Sequence, residues 1–240
     1  MMKLKQIEDV KMNNIILIAA LPDMGRVGGL VSDFLTKQLN TKLVAEIESI
    51  EKPWVTCENG FVKLHVDTYK IYADKQNSIV VFTGDTQPQD TNELYALCDL
   101  LLDTVQGYGN VKHLYSAGGY LKQEVLGEPK VYGTANNEKL LKELEKYNIG
   151  RLGSEINSIT WFNGLILGIA AKRNIEGIGL FGEIDNPNVP QNSAARSIVK
   201  VIARMINMEI NAKELETQDD DDIDEEDVQK ERTGFTPGVA

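Results

Sequence analysis

Short unbroken apolar runs alternate along this chain with stretches of helical spacing. Ile15–Ala20 is a continuous apolar run of strand length, the pattern of a strand covered on both faces. A turn at Pro22-Asp23-Met24-Gly25 follows. Val27, Leu30, Val31, Phe34, Leu35 and Leu39 then recur at helical spacing, which predicts a helix over 26–39. Lys42–Ile50 reads as a second strand, and Phe61–Val66 with Tyr69–Ala73 as a hairpin turning at Asp67-Thr68. Ser78–Thr83 has the character of another buried strand. Asp90 and Glu93 stand at capping-box spacing before a stripe of Leu94, Leu97, Cys98, Leu101, Leu102 and Val105, and Gly107 and Gly109 end that helix. Val111–Ala117 is a strand that reaches Gly118-Gly119. Residues 136–147 form an amphipathic helix. Phe162–Arg173 is apolar nearly all round and should lie between layers. Gly177–Phe181 is a strand, and Ser193 is placed to cap a helix over 194–208.

Strand and helix alternate in this way about four times. The pattern predicts an α/β fold, a three-layer sandwich with a mostly parallel central sheet. No Pro/Gly/Ser-rich linker interrupts the early sequence, so residues 1–212 are expected to form a single domain. Beyond Ala212 the apolar content collapses. From Glu214 to Asp227 only Leu215 and Ile223 are apolar, so residues 213–240 are expected to be a disordered acidic tail.

Charge follows the same boundary. The chain carries −11, but residues 214–231 hold eleven acids against Lys230 alone, for −10. Arg232 returns one positive charge, which leaves residues 1–213 at −2. A nearly neutral body with an acidic tail has no basic face to displace counterions from phosphates, so nucleic acid is not an expected partner. The apolar run ending at Leu21 is stopped by Pro22, far short of the ~20 residues of a spanning helix. With Cys57 and Cys98 as the only cysteines and no signal-peptide pattern at the start, a cytoplasmic location is expected and no membrane partner.

Two turns that leave strands and open helices are candidates for chemistry. In the first, Gly25, Gly28 and Gly29 let backbone amides approach an anion at a helix start, and Arg26 adds a charge. The spacing matches neither the dinucleotide fingerprint nor the P-loop, and close packing on a sheet or a second subunit is the favoured account of the glycines. The second is Thr83-Gly84-Asp85-Thr86-Gln87-Pro88. In open α/β sheets, ligand crevices lie at the carboxyl ends of strands. Asp23, Asp85, Gln87 and the Gly118-Gly119 turn should meet at that edge and line a polar crevice, as a ligand site or an interface. His65 and His113 lie in no metal-binding pattern, and no nucleophile-elbow motif occurs, so no metal, cofactor or catalytic residue is expected. The tail, as coil roughly 30 Å from end to end, is long enough to present Phe235, Pro237, Val239 and Ala240 to a partner.

Several blocks, in their order and spacing, resemble the proteasome-assembly-chaperone family, the archaeal and bacterial relatives of the second eukaryotic assembly chaperone. They are Pro22-Asp23-Met24-Gly25-Arg26-Val27-Gly28, Pro53-Trp54-Val55, Thr83-Gly84-Asp85-Thr86-Gln87-Pro88 and Ser116-Ala117-Gly118-Gly119-Tyr120. Val131-Tyr132-Gly133-Thr134-Ala135 and the Gly164–Ile184 unit extend the likeness over nearly all of residues 13–210. The resemblance implies a nucleoside-phosphorylase-like fold without catalytic activity and a homo-oligomer, trimer to pentamer. It also implies that proteasome α and β subunits, or the core particle, are partners. Some members carry a carboxylate–amine ligase label of the ATP-grasp type, but that layout of glycine-rich loop, lysine and metal-binding acids is not found here. Members that dock on the proteasome can use a C-terminal hydrophobic–Tyr–any tripeptide; here Val239 stands where that tyrosine would be. The alternative kept beside this reading is a phosphate- or nucleotide-binding protein or enzyme using the crevice.

Overall fold

The computed structural model describes residues 2–50, 52–153 and 156–215. In chain order the elements are β1 (Met2–Gln6), β2 (Ile15–Ala19), α1 (Val27–Gln38), β3 (Lys42–Ser49), β4 (Val55–Glu58), β5 (Phe61–Leu64), β6 (Asp67–Asp74) and β7 (Ile79–Gly84). They continue with α2 (Thr91–Tyr108), β8 (Val111–Leu121), β9 (Val131–Ala135), α3 (Glu138–Lys146), β10 (Gly150–Arg151), α4 (Trp161–Lys172), β11 (Glu176–Ile184) and α5 (Asn192–Met205). A short 3-10 turn, Met24–Arg26, precedes α1, and another, Ala212–Leu215, follows α5.

One nine-stranded sheet runs in the order β1-β3-β6-β7-β2-β8-β11-β9-β10. Helices α2 and α4 cover one face, and α1, α3 and α5 cover the other. The continuous apolar runs predicted this double cover: Ile15, Leu17 and Ala19 enter one core while Ile18 and Ala20 enter the other. The alternation in β7 is the same, with Val80 and Phe82 on one side and Ile79 and Val81 on the other. Asp90 caps α2 as its spacing predicts, its carboxylate accepting from the Glu93 amide at 3.0 Å.

The sheet is mixed, which corrects the mostly parallel expectation. Its centre, β7-β2-β8-β11, is parallel, and so is β9-β10. The pairs β1-β3, β3-β6, β6-β7 and β9-β11 are antiparallel. The cause lies in the connections. A parallel crossover needs a dozen or more residues, and only four separate β6 from β7. There the Asp74 carboxylate accepts from the Gln76 and Asn77 amides and Ser78 takes a positive φ, which turns the chain straight back.

The predicted hairpin is also corrected. Phe61–Leu64 does not pair with the Tyr69 strand but with Val55–Glu58, forming a separate two-stranded sheet. Asn59 and Gly60, at φ 51 and 82, make the two-residue turn. Asn-Gly accepts two positive φ angles at low cost, and such a turn matches the twist of the strands it joins. Asp67 and Thr68 belong to β6, in the large sheet. At α5 the N-cap is Gln191 rather than Ser193, and its side chain makes no capping bond. The Gln191 amide donates instead to the Gly25 carbonyl, and the Gly25 amide to Pro187, which ties the start of α5 to the first βα turn. Leu215, in the turn that follows α5, is buried against the α1/α5 side of the core, past the expected boundary at residue 212.

Candidate functional site

Strands β2, β7, β8 and β11 run in parallel toward one edge of the sheet, where the turns after β2 and β7, Gly119-Tyr120 of β8, Phe181 of β11 and the segment leading into α4 surround a cavity of about 660 Å³. The floor is built by Asp23. One carboxylate oxygen accepts from the Gly28 amide at 2.8 Å, at the start of α1. The other accepts from the Gly119 amide at 2.7 Å, on β8. The glycine turn does create an anion seat at a helix start, and the protein's own carboxylate occupies it. Burial pushes the Asp23 carboxyl up to about 6, and the two amides and Asn163 pull the other way.

The glycines make this closure possible. A Cβ on Gly28 would stand 2.4 Å from the Leu21 carbonyl oxygen and 2.8 Å from that of Ala117. A Cβ on Gly118 would stand 2.6 Å from the Asp23 carboxylate. Gly25 takes φ 64 with the Gln191 side chain pressed against it. Asn163, on α4, completes the knot. Its amide group accepts from the Leu21 N–H at 3.0 Å and donates to the Leu21 carbonyl at 3.1 Å, two backbone groups just past the end of β2. Gln87 works in the same way one turn over. Its side chain donates to the Pro22 carbonyl and accepts from the Phe162 amide at 3.0 Å, the latter at the start of α4.

The structure thus brings Asp23, Gln87 and Gly119 to the cavity lining; Gly28 and Gly118 pack against the Asp23 carboxylate without lining the cavity, and Gly25 packs against Gln191. Arg26 and Asp85 go elsewhere. Asp85 lines a separate, smaller cavity beside Asp33 and Lys37, on the outer flank of α1. There burial raises the Asp33 carboxyl, Asp85 adds to the rise, and Arg26 and Lys37 oppose it. The expected crevice therefore lacks Arg26 and Asp85, two of the residues foreseen for it. Phe235, Pro237, Val239 and Ala240 lie outside the described residues.

Sequence reasoning missed the apolar part of the site. Met24 and Trp161 are exposed at the rim, and Tyr120, Ile156, Ile159 and Phe181 line the walls. Trp161 takes φ 60 as it opens α4. It gave no signal in sequence, but Asn163 did: it is the single amide in an otherwise apolar stretch, 162–171. Such a residue, when buried, needs hydrogen-bond partners from another element. Both Asp23 oxygens are committed to backbone amides, so the carboxylate is a structural acceptor in this state. Among the described residues no group of three or more His, Cys, Asp or Glu is placed to hold a metal ion, and no helix is long and apolar enough to cross a membrane.

The sequence profile of the PAC2 family matches residues 17–229. An uncharacterized protein of Methanocaldococcus jannaschii is 27% identical over 215 residues, covering 89% of this chain and 81% of that protein. Among solved structures, Pyrococcus furiosus PbaB, described as an archaeal proteasome activator, superposes with a TM-score of 0.79 at 25% identity, over 96% of this chain and 98% of that one. Pyrococcus furiosus PbaA, described as an archaeal homolog of proteasome-assembly chaperone, has the same fold, with a TM-score of 0.74 at 21% identity over 97% and 94%.

Proposed function

The chain belongs to the PAC2 family, and from that premise we propose that it is a non-enzymatic, cytoplasmic, homo-oligomeric chaperone. It binds proteasome α and β subunits, or the core particle, during assembly. The observation that carries this reading is the end-to-end likeness to PbaB, described as a proteasome activator, at 25% identity. The site agrees with it. The cavity at the carboxyl edge of the sheet has an apolar rim, at Met24 and Trp161, suited to a side chain of a partner polypeptide. In this reading residues 1–212 are the binding body, of nucleoside-phosphorylase type, in an oligomer of three to five chains. The acidic run that follows Leu215 carries charge that discourages wrong contacts.

The phosphate or nucleotide reading has less support. An incoming phosphate would have to displace Asp23 from the Gly28 and Gly119 amides, and Arg26 does not line the cavity. The chain, tagged and expressed in its native cells, should co-purify proteasome α or β subunits at low and moderate salt. Met24→Glu and Trp161→Ala should each cut that capture at least tenfold while leaving the fold intact by circular dichroism. Absence of proteasome subunits from the bound fraction would count decisively against the reading. Nucleotides, nucleosides and phosphate should leave the melting temperature unchanged, since only a ligand that binds the native state raises it.

A further inference from the structure

The cavity at the carboxyl edge of the sheet has a charge that its apolar rim does not account for. Among the described residues that line it, Asp23 alone is charged, and no lysine, arginine or histidine balances it. Lys122, two residues beyond Tyr120, is engaged elsewhere. Its ammonium donates to the Tyr120 hydroxyl at 3.0 Å and lies 4.3 and 5.3 Å from the centroids of the Tyr120 and Tyr132 rings. Burial pushes the Asp23 carboxyl up to about 6, so at neutral pH it is still ionised, and the cavity is negative at its floor and apolar along its walls. The open positions on that carboxylate narrow the chemistry further. An ionised carboxylate offers about four lone-pair sites. The Gly28 amide takes one at 2.8 Å, the Gly119 amide another at 2.7 Å, and the Asn163 side chain adds a third bond. What remains suits one further donor rather than the two parallel donors of a guanidinium fork. An ammonium is a compact point charge of that kind. Its stem can lie along an apolar wall while the charge reaches a polar end.

Resting on the reading that the chain engages a polypeptide partner, we propose that this cavity receives a lysine side chain of that partner. The stem lies against Met24, Ile159 and Trp161, and the ammonium meets the Asp23 carboxylate. Two observations favour a polypeptide over a free amine. The cavity, at about 660 Å³, falls within the roughly 300–1,000 Å³ of sites that enclose whole ligands, so residues beside the lysine have room to enter with it. Met24 and Trp161, 44% and 48% exposed, carry the apolar contact out past the mouth. The fold has already taken the Asp23 carboxylate out of water, so binding has only the ammonium left to desolvate. An acid at the rim, as in Met24→Glu, would instead hold the ammonium in water and short of Asp23, where an ion pair contributes little.

Nuclear magnetic resonance on the full chain tests it, with the indole N–H of Trp161 identified through Trp161→Phe. An acetylated and amidated alanine–lysine–alanine peptide should shift that signal to saturation. The norleucine peptide, of similar stem but without the charge, should bind at least tenfold more weakly and the arginine peptide at least threefold more weakly. The glutamate peptide should leave the signal unmoved. Asp23→Asn should abolish the preference for lysine over norleucine. Because a change at Asp23 can loosen the turn, Ser158→Lys gives a second reading. Ser158 is exposed in the cavity wall and lies outside the knot. Its replacement should weaken the lysine peptide at least fivefold and leave the norleucine peptide unaffected. Equal binding of the lysine and norleucine peptides, tighter binding of the arginine or glutamate peptide, or no shift with any of them would overturn the proposal. Butylamine binding as tightly as the lysine peptide would overturn the polypeptide as occupant. Lysine-selective binding without capture of proteasome subunits would refute the proposed function and leave this seat standing. Capture by a chain that shows no preference for lysine would refute this inference alone.

Discussion

The Asp23 knot and the β4–β5 hairpin sit at the same end of the sheet and are built on opposite terms. In the knot, polar groups lie among close-packed backbone, and the carboxylate oxygens, the Asn163 amide and the Gln87 amide each have named partners. In the hairpin, apolar groups lie in water and the strands pair only with each other. Buried polar groups are costly when their partners are removed, whereas exposed apolar ones cost the single chain little when changed. The same end of the molecule therefore carries a rigid floor and a free arm, and substitutions should separate the two sharply.

The largest effect is expected at the knot. Asp23→Ala strands the Gly28 and Gly119 amides without an acceptor, and chemical denaturation should show a loss of about 3 kcal/mol. A loss below about 1 kcal/mol would mean that the turn is held by packing alone. Next in size is a pH effect. Because burial raises the Asp23 carboxyl to about 6, the native state holds this proton more tightly than the unfolded chain does. Stability should therefore fall as pH rises from about 4 to about 6, and the contribution of this group should be flat above that. The full shift corresponds to an upper bound of about 3 kcal/mol, reduced by the partial solvent access of the side chain. The difference in slope between the native chain and Asp23→Ala across that window isolates this group, since Asp33, also raised by burial, contributes to both. An equal slope in both would assign the fall to other carboxyls. The smallest effect belongs to the hairpin. Phe61→Ser, at a side chain 74% exposed, should change the stability of dilute protein by less than about 0.5 kcal/mol. A larger loss would show that the arm packs back on its own body.

Much of the fold was legible because its signals are local. The run at Ile15–Ala20, the stripe of α1 and the Asp90 cap of α2 each involve residues within a few positions of one another, and each is where its spacing put it. The antiparallel half of the sheet had a legible sign as well, since the described residues between β3 and β7 hold no helix that a crossover would need. Asn59-Gly60 was the stronger turn signal beside Asp67-Thr68, because it alone supplies two residues at ease with positive φ.

The sequence by itself determined that strands would alternate with helices, that the central strands would be covered on both faces, and that Asp23 and its glycines would stand at a helix start. Only the tertiary structure decided what those glycines serve. Gly119 is 96 residues from Asp23 and Asn163 is 142 from Leu21, and periodicity carries no information over such separations. The close approach of β8 to the first turn sets the partner of the Asp23 carboxylate and fills the anion seat. Asp85, after β7, lines a different cavity beside α1, and Met24 and Trp161 leave an apolar rim over the first. Hydrophobic spacing sets which face of an element is buried; the contact of two faces distant in sequence sets which polar groups meet beneath it.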